Sequence, residues 1–301
     1  MSEIRKVPAS AGAQWLLGGC TLFFKSPLQL GLLAVSFGMI MITVVLLTFI
    51  SPLLGSIAQL LMMLATPVLM GGLIWAVREV EHDRPARREH LLEGFRRGRL
   101  PHLLVAVLPY FLASLMLGAL MVLLLGTDGA ERWHQVQMEV NAINQSGGQF
   151  EPGQLEALAE SLPVFGTLLW IVISVLTSVA VCLMLAFMLP QVMFSGIGGW
   201  AALVNSLRTS LVNLGAMVMF YLLALGLMMV LYFGAAIIML VVSFISPALG
   251  LMLAIVFLLA TALPIFAGAV FLGWRQMFAH ADAGAPPPVP PSNGPGNIFA
   301  A

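Results

Sequence analysis

Charge is what this chain has least of. Asp, Glu, Lys and Arg make up 9% of its 301 residues, against 60% hydrophobic ones, and mean hydropathy is +1.01. Residues 26–77 and 209–274 hold no charged side chain at all. An uncharged apolar run of about eighteen residues or more reads as a membrane-spanning helix, and each stretch is long enough for two. This composition excludes a soluble globular protein. A large soluble domain is excluded too, because the longest hydrophilic segment, residues 127–163, is too short to bury a core of its own.

Cysteine is nearly absent, with only Cys20 and Cys182. Cys182 lies in an apolar run, where it acts as a small hydrophobe, and the two are not expected to form a disulfide. Leu17-Gly18-Gly19-Cys20 resembles a lipoprotein cleavage box. Residues 4–12 supply no apolar segment before it, so no signal peptide is expected and the first membrane helix is retained. Ionisable groups are missing from the spans, apart from His102 at an edge. That argues against proton- or cation-coupled transport resting on carboxylates, which needs a group that changes charge inside the membrane.

Catalytic patterns are missing as well. Glu131 and His134 form one Glu-x-x-His, where a di-metal bundle needs two and two further carboxylates. His82, His90 and His102 are irregularly spaced and lack the cysteines of a zinc site. Ser195-Gly196 lacks the glycine two residues ahead that a nucleophile elbow requires. Gly196, Gly198 and Gly199 follow no strand, so they make no phosphate loop. The reading is no enzyme, no catalytic, cofactor-binding or metal residue, no cofactor and no nucleic-acid partner.

What is present is apolar length. The expected fold class is all-α: a polytopic membrane helix bundle of about six transmembrane helices, with two interfacial helices and a parallel internal repeat. Spans are read at about 28–50, 53–77, 102–125, 164–190, 213–243 and 249–274. Ser51-Pro52 and Ser246-Pro247 make the tight turns of two hairpins, since Pro fits the first turn of a helix. The resulting segments are an N-terminus with an interfacial helix (1–27), hairpin 1 (28–77) and a basic loop (78–101). Helices 3 and 4 follow (102–190), joined by an acidic loop at 127–163. A second interfacial helix (191–212), hairpin 2 (213–275) and a Pro/Gly/Ala-rich tail expected to be disordered (276–301) complete the chain.

Lys and Arg set the orientation. With the N-terminus inside, twelve of the 13 fall on the inner side and only Arg132 on the outer. Both termini are then cytoplasmic and the 127–163 loop is periplasmic, in a bacterial inner membrane. Trp133, Val136, Val140 and Ile143 give that loop one helix, capped by Thr127 or Asp128. Pro152 opens a second, carrying Leu155, Leu158 and Leu162. Their apolar stripes either cover the outer mouth of the bundle or meet a protein partner. In the inner loop, Pro85 starts a short helix with Leu91, Leu92 and Phe95 on one side and arginines on the other. It reads as an anchor at the anionic leaflet surface or as a docking site for a partner.

A repeat runs beneath this. Phe49-Ile50-Ser51-Pro52-Leu53-Leu54-Gly55 recurs as Phe244-Ile245-Ser246-Pro247-Ala248-Leu249-Gly250. Thr66 aligns with Thr261, and Pro67 and Pro264 both fall inside the second helix of a hairpin. These four are the candidates for an intramembrane pathway or for kinks that shape packing. Upstream, Trp15 aligns with Trp200, each in an expected interfacial helix. In the second, Trp200, Leu203, Val204, Leu207 and Leu211 share one face and Asn205, Ser206, Arg208 and Thr209 the other. Trp15, Trp200 and Arg208 are the candidate lipid contacts.

Trp15, Leu22-Phe23, Ser26-Pro27, Gly94-Phe95-Arg96-Arg97 and Ser206, Ser210 and Asn213 also carry a resemblance. Over residues 10–275 the chain resembles uncharacterised proteobacterial multi-pass inner-membrane proteins of the YciC-like six-helix type. The resemblance implies a six-helix bundle and no activity. The function expected is a non-enzymatic scaffold, assembly or envelope-maintenance factor whose partners are membrane lipids and a protein at either charged loop. The alternative is a carrier or channel for an apolar or amphipathic small molecule or lipid. A lipid-sized cavity between spans 2 and 6, lined by Thr66 and Thr261, would favour the alternative, and a closed apolar core there the scaffold.

Overall fold

The computed structural model describes residues 4–146, 153 and 163–278, and no strand occurs among them. The chain folds as an all-α bundle. Its helices are α1 (Ala11–Lys25), α2 (Pro27–Ile50), α3 (Pro52–Glu81), the short α4 (Glu93–Arg96) and α5 (Leu100–Leu104), and α6 (Val107–Ser146). Then come α7 (Val164–Leu185), α8 (Gly199–Val212), α9 (Leu214–Ser243) and α10 (Pro247–Met277). Six helical stretches are long and apolar enough to cross a membrane, so this is a multi-pass membrane protein. The helix expected after Pro152 and the tail after residue 278 lie outside the described residues.

The two Ser-Pro turns are built alike. Ser51 (φ −155°, ψ 124°) and Ser246 (φ −159°, ψ 121°) are extended residues that precede a Pro at the first helical position. One turn on, Gly55 and Gly250 let the paired helices touch: a Cβ at 55 would lie 2.6 Å from Thr48 Cα, and one at 250 would lie 2.7 Å from Met239 O. These turns define one end of the bundle, the turn face. The opposite end, the basic face, gathers Lys25, Asp83, Glu81 and Arg275, with Lys25 paired to Asp83 and Arg275 to Glu81.

Hydrophobic packing is concentrated towards the basic face. Helices α3 and α10 have 30 and 31 residues, or about 45 Å at 1.5 Å per residue. A hydrocarbon layer is about 30 Å thick, so each helix projects past it. The buried stretches, Pro67–Val80 in α3 and Ala262–Met277 in α10, lie toward those projecting ends. Around them pack α1, the 85–106 segment and α8.

Helix α1 buries one face in the bundle and leaves Leu17 and Phe24 exposed on the other. It wedges against α9 and α10, where Gly12 and Gly19 allow backbone contact: a Cβ at Gly12 would sit 2.7 Å from Phe220 N, and one at Gly19 2.8 Å from Ala269 N. This corrects the expectation for Trp15. Its side chain is 2% exposed, donates to Gln276 Oε1 and stacks edge-on against Phe187 at 5.8 Å. Trp15 is a core wedge, not a lipid contact.

The break after the third span falls where the sequence places it: Gly126 (φ 74°, ψ 173°) is non-helical, a conformation that suits glycine, and a second helical segment follows it to Ser146. Two further boundaries differ from the sequence expectation. Helix α3 ends at Glu81, because Arg78 and Glu79 interrupt apolarity without interrupting backbone hydrogen bonding. Helix α7 ends at Leu185, and the chain passes through a turn at Met188–Pro190 and a π-helical turn at Gln191–Ser195.

Candidate functional site

The six long helices form three pairs, α2/α3, α9/α10 and α6/α7. The first two pack together through α10, which touches both α2 and α3. The α6/α7 pair holds tightly to itself at the turn face, where Gly166 packs on the Leu124 carbonyl and Trp170 Nε1 donates to Leu117 O at 3.0 Å. It is fastened to the rest chiefly at the basic face.

That fastening explains the inward side of α8. Ser206, Thr209 and Ser210 are each 0% exposed, which reverses the expectation that Ser206 and Thr209 face solvent. The end of α7 leaves backbone groups unpaired, and Pro190 adds a missing N–H. Ser206 Oγ accepts from Phe187 N at 3.0 Å and donates to Leu183 O at 3.2 Å, and Ser210 Oγ donates to Leu183 O at 3.0 Å. Irregular backbone at membrane depth survives where protein satisfies it. The outward side of α8 carries Trp200 (62% exposed), Val204, Arg208 and Leu211.

Because the pairs splay, clefts open between them. The groove between α7 and α9 has a volume of about 690 Å³. Ile171, Val175 and Val179 face Val218, Leu222 and Leu225 across it, and Trp133 and Trp170, with ring centroids 5.2 Å apart, close its end toward the turn face. Ser174, Ser178 and Cys182 recur every fourth residue along its wall, opposite Tyr221. Ser178 Oγ bonds Ser174 O, Tyr221 OH reaches Cys182 O at 3.4 Å, and Ser174 Oγ is buried without a protein partner. A second cleft of about 360 Å³ lies between α3, the start of α6 and the end of α7, and takes Thr66 and Pro67 in its wall. A third, of about 700 Å³, lies between α2, α3 and the turn end of α10, with Gln59 and Thr66 in its wall. None of the three takes a charged side chain from the described residues.

Thr66 thus lines two clefts, but neither takes a wall from Thr261. The Thr66–Thr261 cavity that would have favoured a carrier is not among these clefts, which lie to either side. Each threonine bonds a carbonyl of its own helix, Thr66 to Met62 O at 2.8 Å and Thr261 to Phe257 O at 2.7 Å. Pro264 is buried, and the carbonyl of Ala260, which it leaves without its helical donor, faces Gly31 of α2. The α7/α9 groove was the part that sequence reasoning missed. Its only signal was the i, i+4, i+8 run of Ser174, Ser178 and Cys182.

At the basic face most arginines are neutralised or stacked. Arg84 pairs with Glu79, Arg97 with Glu93 and Arg96 with Glu89. The Arg97 guanidinium also covers Trp75 at 3.7 Å, and Arg78 lies over the rings of Trp75 and Phe194. In the expected inner-loop helix, Leu91 turns inward at 6% exposure while Leu92 and Phe95 stay exposed. Arg5, Lys6 and Arg208 are exposed and make no ion pair among the described residues. Arg5 and Lys6 are held where α8 meets α9: Asn213 Oδ1 accepts from Val7 N at 2.8 Å, and Asn213 Nδ2 donates to Arg5 O at 3.3 Å.

Among the described residues no group of three His, Cys, Asp or Glu is placed to hold a metal. Comparison with protein-family models, curated proteins and solved structures returned no match.

Proposed function

We propose that this chain is a non-enzymatic protein of the bacterial inner membrane that holds lipid or another amphipathic molecule in lateral clefts. One observation carries the reading: uncharged, lipid-sized clefts flank a helix pair that is anchored chiefly near the basic face. An apolar pocket with a few placed polar groups is the usual form of a small-molecule site. The absence of charge from the clefts suits a hydrocarbon chain and does not suit an ion. The basic face is the cytoplasmic one in this reading, supported by the Lys and Arg asymmetry. The chain is a parallel repeat of a short helix, a long helix, a Ser-Pro turn and a long helix. The matching order of α1–α3 and α8–α10 and the shared Ser-Pro-x-x-Gly geometry support this.

Native mass spectrometry of the protein released gently from its own membranes tests the reading. A discrete retained lipid or small molecule is expected. A stoichiometric protein partner without a ligand would overturn it in favour of the scaffold, for which the exposed apolar residues Leu92 and Phe95 speak. Orientation has its own check: a Cys at Arg88 should react with a membrane-impermeant maleimide only after the membrane is opened, and reaction in intact spheroplasts would reverse the topology.

A further inference from the structure

The α7/α9 groove has a length and an apolar lining, and exposed cations lie on the segments next to its basic end; together these specify one occupant. We propose that it holds one acyl chain of an anionic phospholipid drawn from the leaflet at the basic face, with the phosphate held by Arg5, Lys6 and Arg208. This rests on the lipid-binding reading above and names its site and ligand class.

Length comes first. The α7 wall from Ile171 to Leu183 spans twelve residue steps, or about 18 Å at the helical rise. Half of a hydrocarbon layer is about 15 Å, so the groove matches a chain of one leaflet. A partner helix is the main competitor, and a native mass spectrum separates the two as a retained lipid or a retained polypeptide.

The lining is mostly apolar, and its polar side chains are Ser174, Ser178, Cys182 and Tyr221 beside the two Trp rings. Cys182 and Tyr221 lie within about two helical turns of the basic end, where α7 stops at Leu185 and α9 starts at Leu214. There a lipid carries its glycerol esters, and the Tyr221 phenol, which donates to Cys182 O at 3.4 Å, can turn its one proton to an ester instead. Farther in, the wall is Val179, Val175 and Ile171, with Ser178 and Ser174 between them, against Leu222 and Leu225. The unpartnered Ser174 hydroxyl lies along this path. The end is stopped by Trp133 and Trp170.

The mouth completes the match. Leu214 lines the groove and directly follows Asn213, whose side chain grips the backbone of residues 5 and 7. The backbone of residues 5 and 7 is thereby held beside the start of α9, and Arg208 precedes Asn213 by little more than one helical turn. No carboxylate among the described residues pairs with Arg5, Lys6 or Arg208.

The test uses full-length protein reconstituted in vesicles of phosphatidylethanolamine and phosphatidylglycerol at three to one, then released for native mass spectrometry. The wild type should retain one phospholipid, enriched in phosphatidylglycerol over the vesicle ratio. S178F with L222F should fill the groove and lower occupancy at least fivefold. Both positions are exposed, so the larger rings have room, and V179W in the same wall is the independent second variant. M63W, in the other two clefts, should leave retention unchanged. R5Q/K6Q/R208Q should keep a lipid but lose the phosphatidylglycerol preference. Wild-type retention in both groove-filled proteins overturns this site. If M63W alone releases the lipid, the lipid-binding reading stands and this assignment fails. If the wild type retains nothing, both fail.

Discussion

Ser206 and Ser210 sit about one turn apart on α8, and both hydroxyls donate to the carbonyl oxygen of Leu183. Ser206 also accepts from Phe187 N, at a place where α7 has run out of its own partners. A buried backbone group left unpaired costs about 1–3 kcal/mol, and no water reaches a residue that is 0% exposed. S206A should therefore destabilise by that amount, and S206A/S210A by more, read as thermal unfolding in detergent. S36A should change little, because the Ser36 hydroxyl only doubles up on a carbonyl of its own helix. Glycine makes a second contrast. G19L must displace the α10 backbone at Ile265–Ala269, whereas Gly118 has nothing within 4 Å of a Cβ. G19L should cost about 3 kcal/mol or more as an overpacked site, and G118L should not. A similar melting temperature for the two would refute the wedge. This is also why Trp15 misled as a sequence feature. A Trp near a span reads as a headgroup marker, but Gly12 and Gly19 bring α1 close enough for that Trp to become core. Only the spacing of those glycines hinted at it.

At the scale of elements, most of the fold was legible in the chain. The hairpins around Ser51-Pro52 and Ser246-Pro247 follow from proline chemistry, and their helices begin at Pro52 and Pro247. Span ends were less legible, because hydropathy stops at the first charge while a helix stops where hydrogen bonding does, as at Glu81. The 85–104 segment shows how a loop becomes structure. It packs on α3 at Gly72, where a Cβ would lie 2.5 Å from the His90 carbonyl oxygen. His90 Nδ1 accepts from Arg87 N at 3.1 Å, which needs an unprotonated Nδ1. Burial pushes the His90 pKa below its ordinary value, against the opposing pull of Glu79 and Glu93. A folded pKa below the unfolded one means that the unfolded segment binds the proton more readily. The stability His90 contributes is then complete above the unfolded pKa of about 6.5 and falls as pH drops below it. Amide exchange at Arg87, corrected for its intrinsic rate, should accelerate as the pH falls below about 6.5. H90Q should remove that pH dependence, and an unchanged profile in H90Q would show that His90 is not the group responsible.

For the whole molecule, the decisive property is uneven packing: dense at the basic face, splayed elsewhere. The sequence could not show this. In lipid, an apolar side chain facing a helix and one facing an acyl chain are compositionally alike, so apolar length identifies a span but not its neighbour. The clefts were hidden for the same reason, and Thr66 and Thr261 were paired as a place to look by sequence alignment between repeats, not by packing. Splaying has a mechanical consequence. The α6/α7 pair is internally clamped at Gly166 and Trp170 but joined to α9 through α8, whose serines hold only the end of α7. The pair should therefore pivot about that attachment, widening the α7/α9 groove toward the turn face. Spin labels at Leu168 and Tyr232, both exposed, would report this by pulsed dipolar spectroscopy in a C20A/C182A background. Their distance distribution should be broad. A pair at Leu17 and Trp200, also exposed but on the packed end, should give a narrow one. Lipid in the groove should narrow the first distribution and leave the second unchanged. Equal widths in the lipid-free protein would mean that the groove is a rigid surface feature, and that α8 does not act as a pivot.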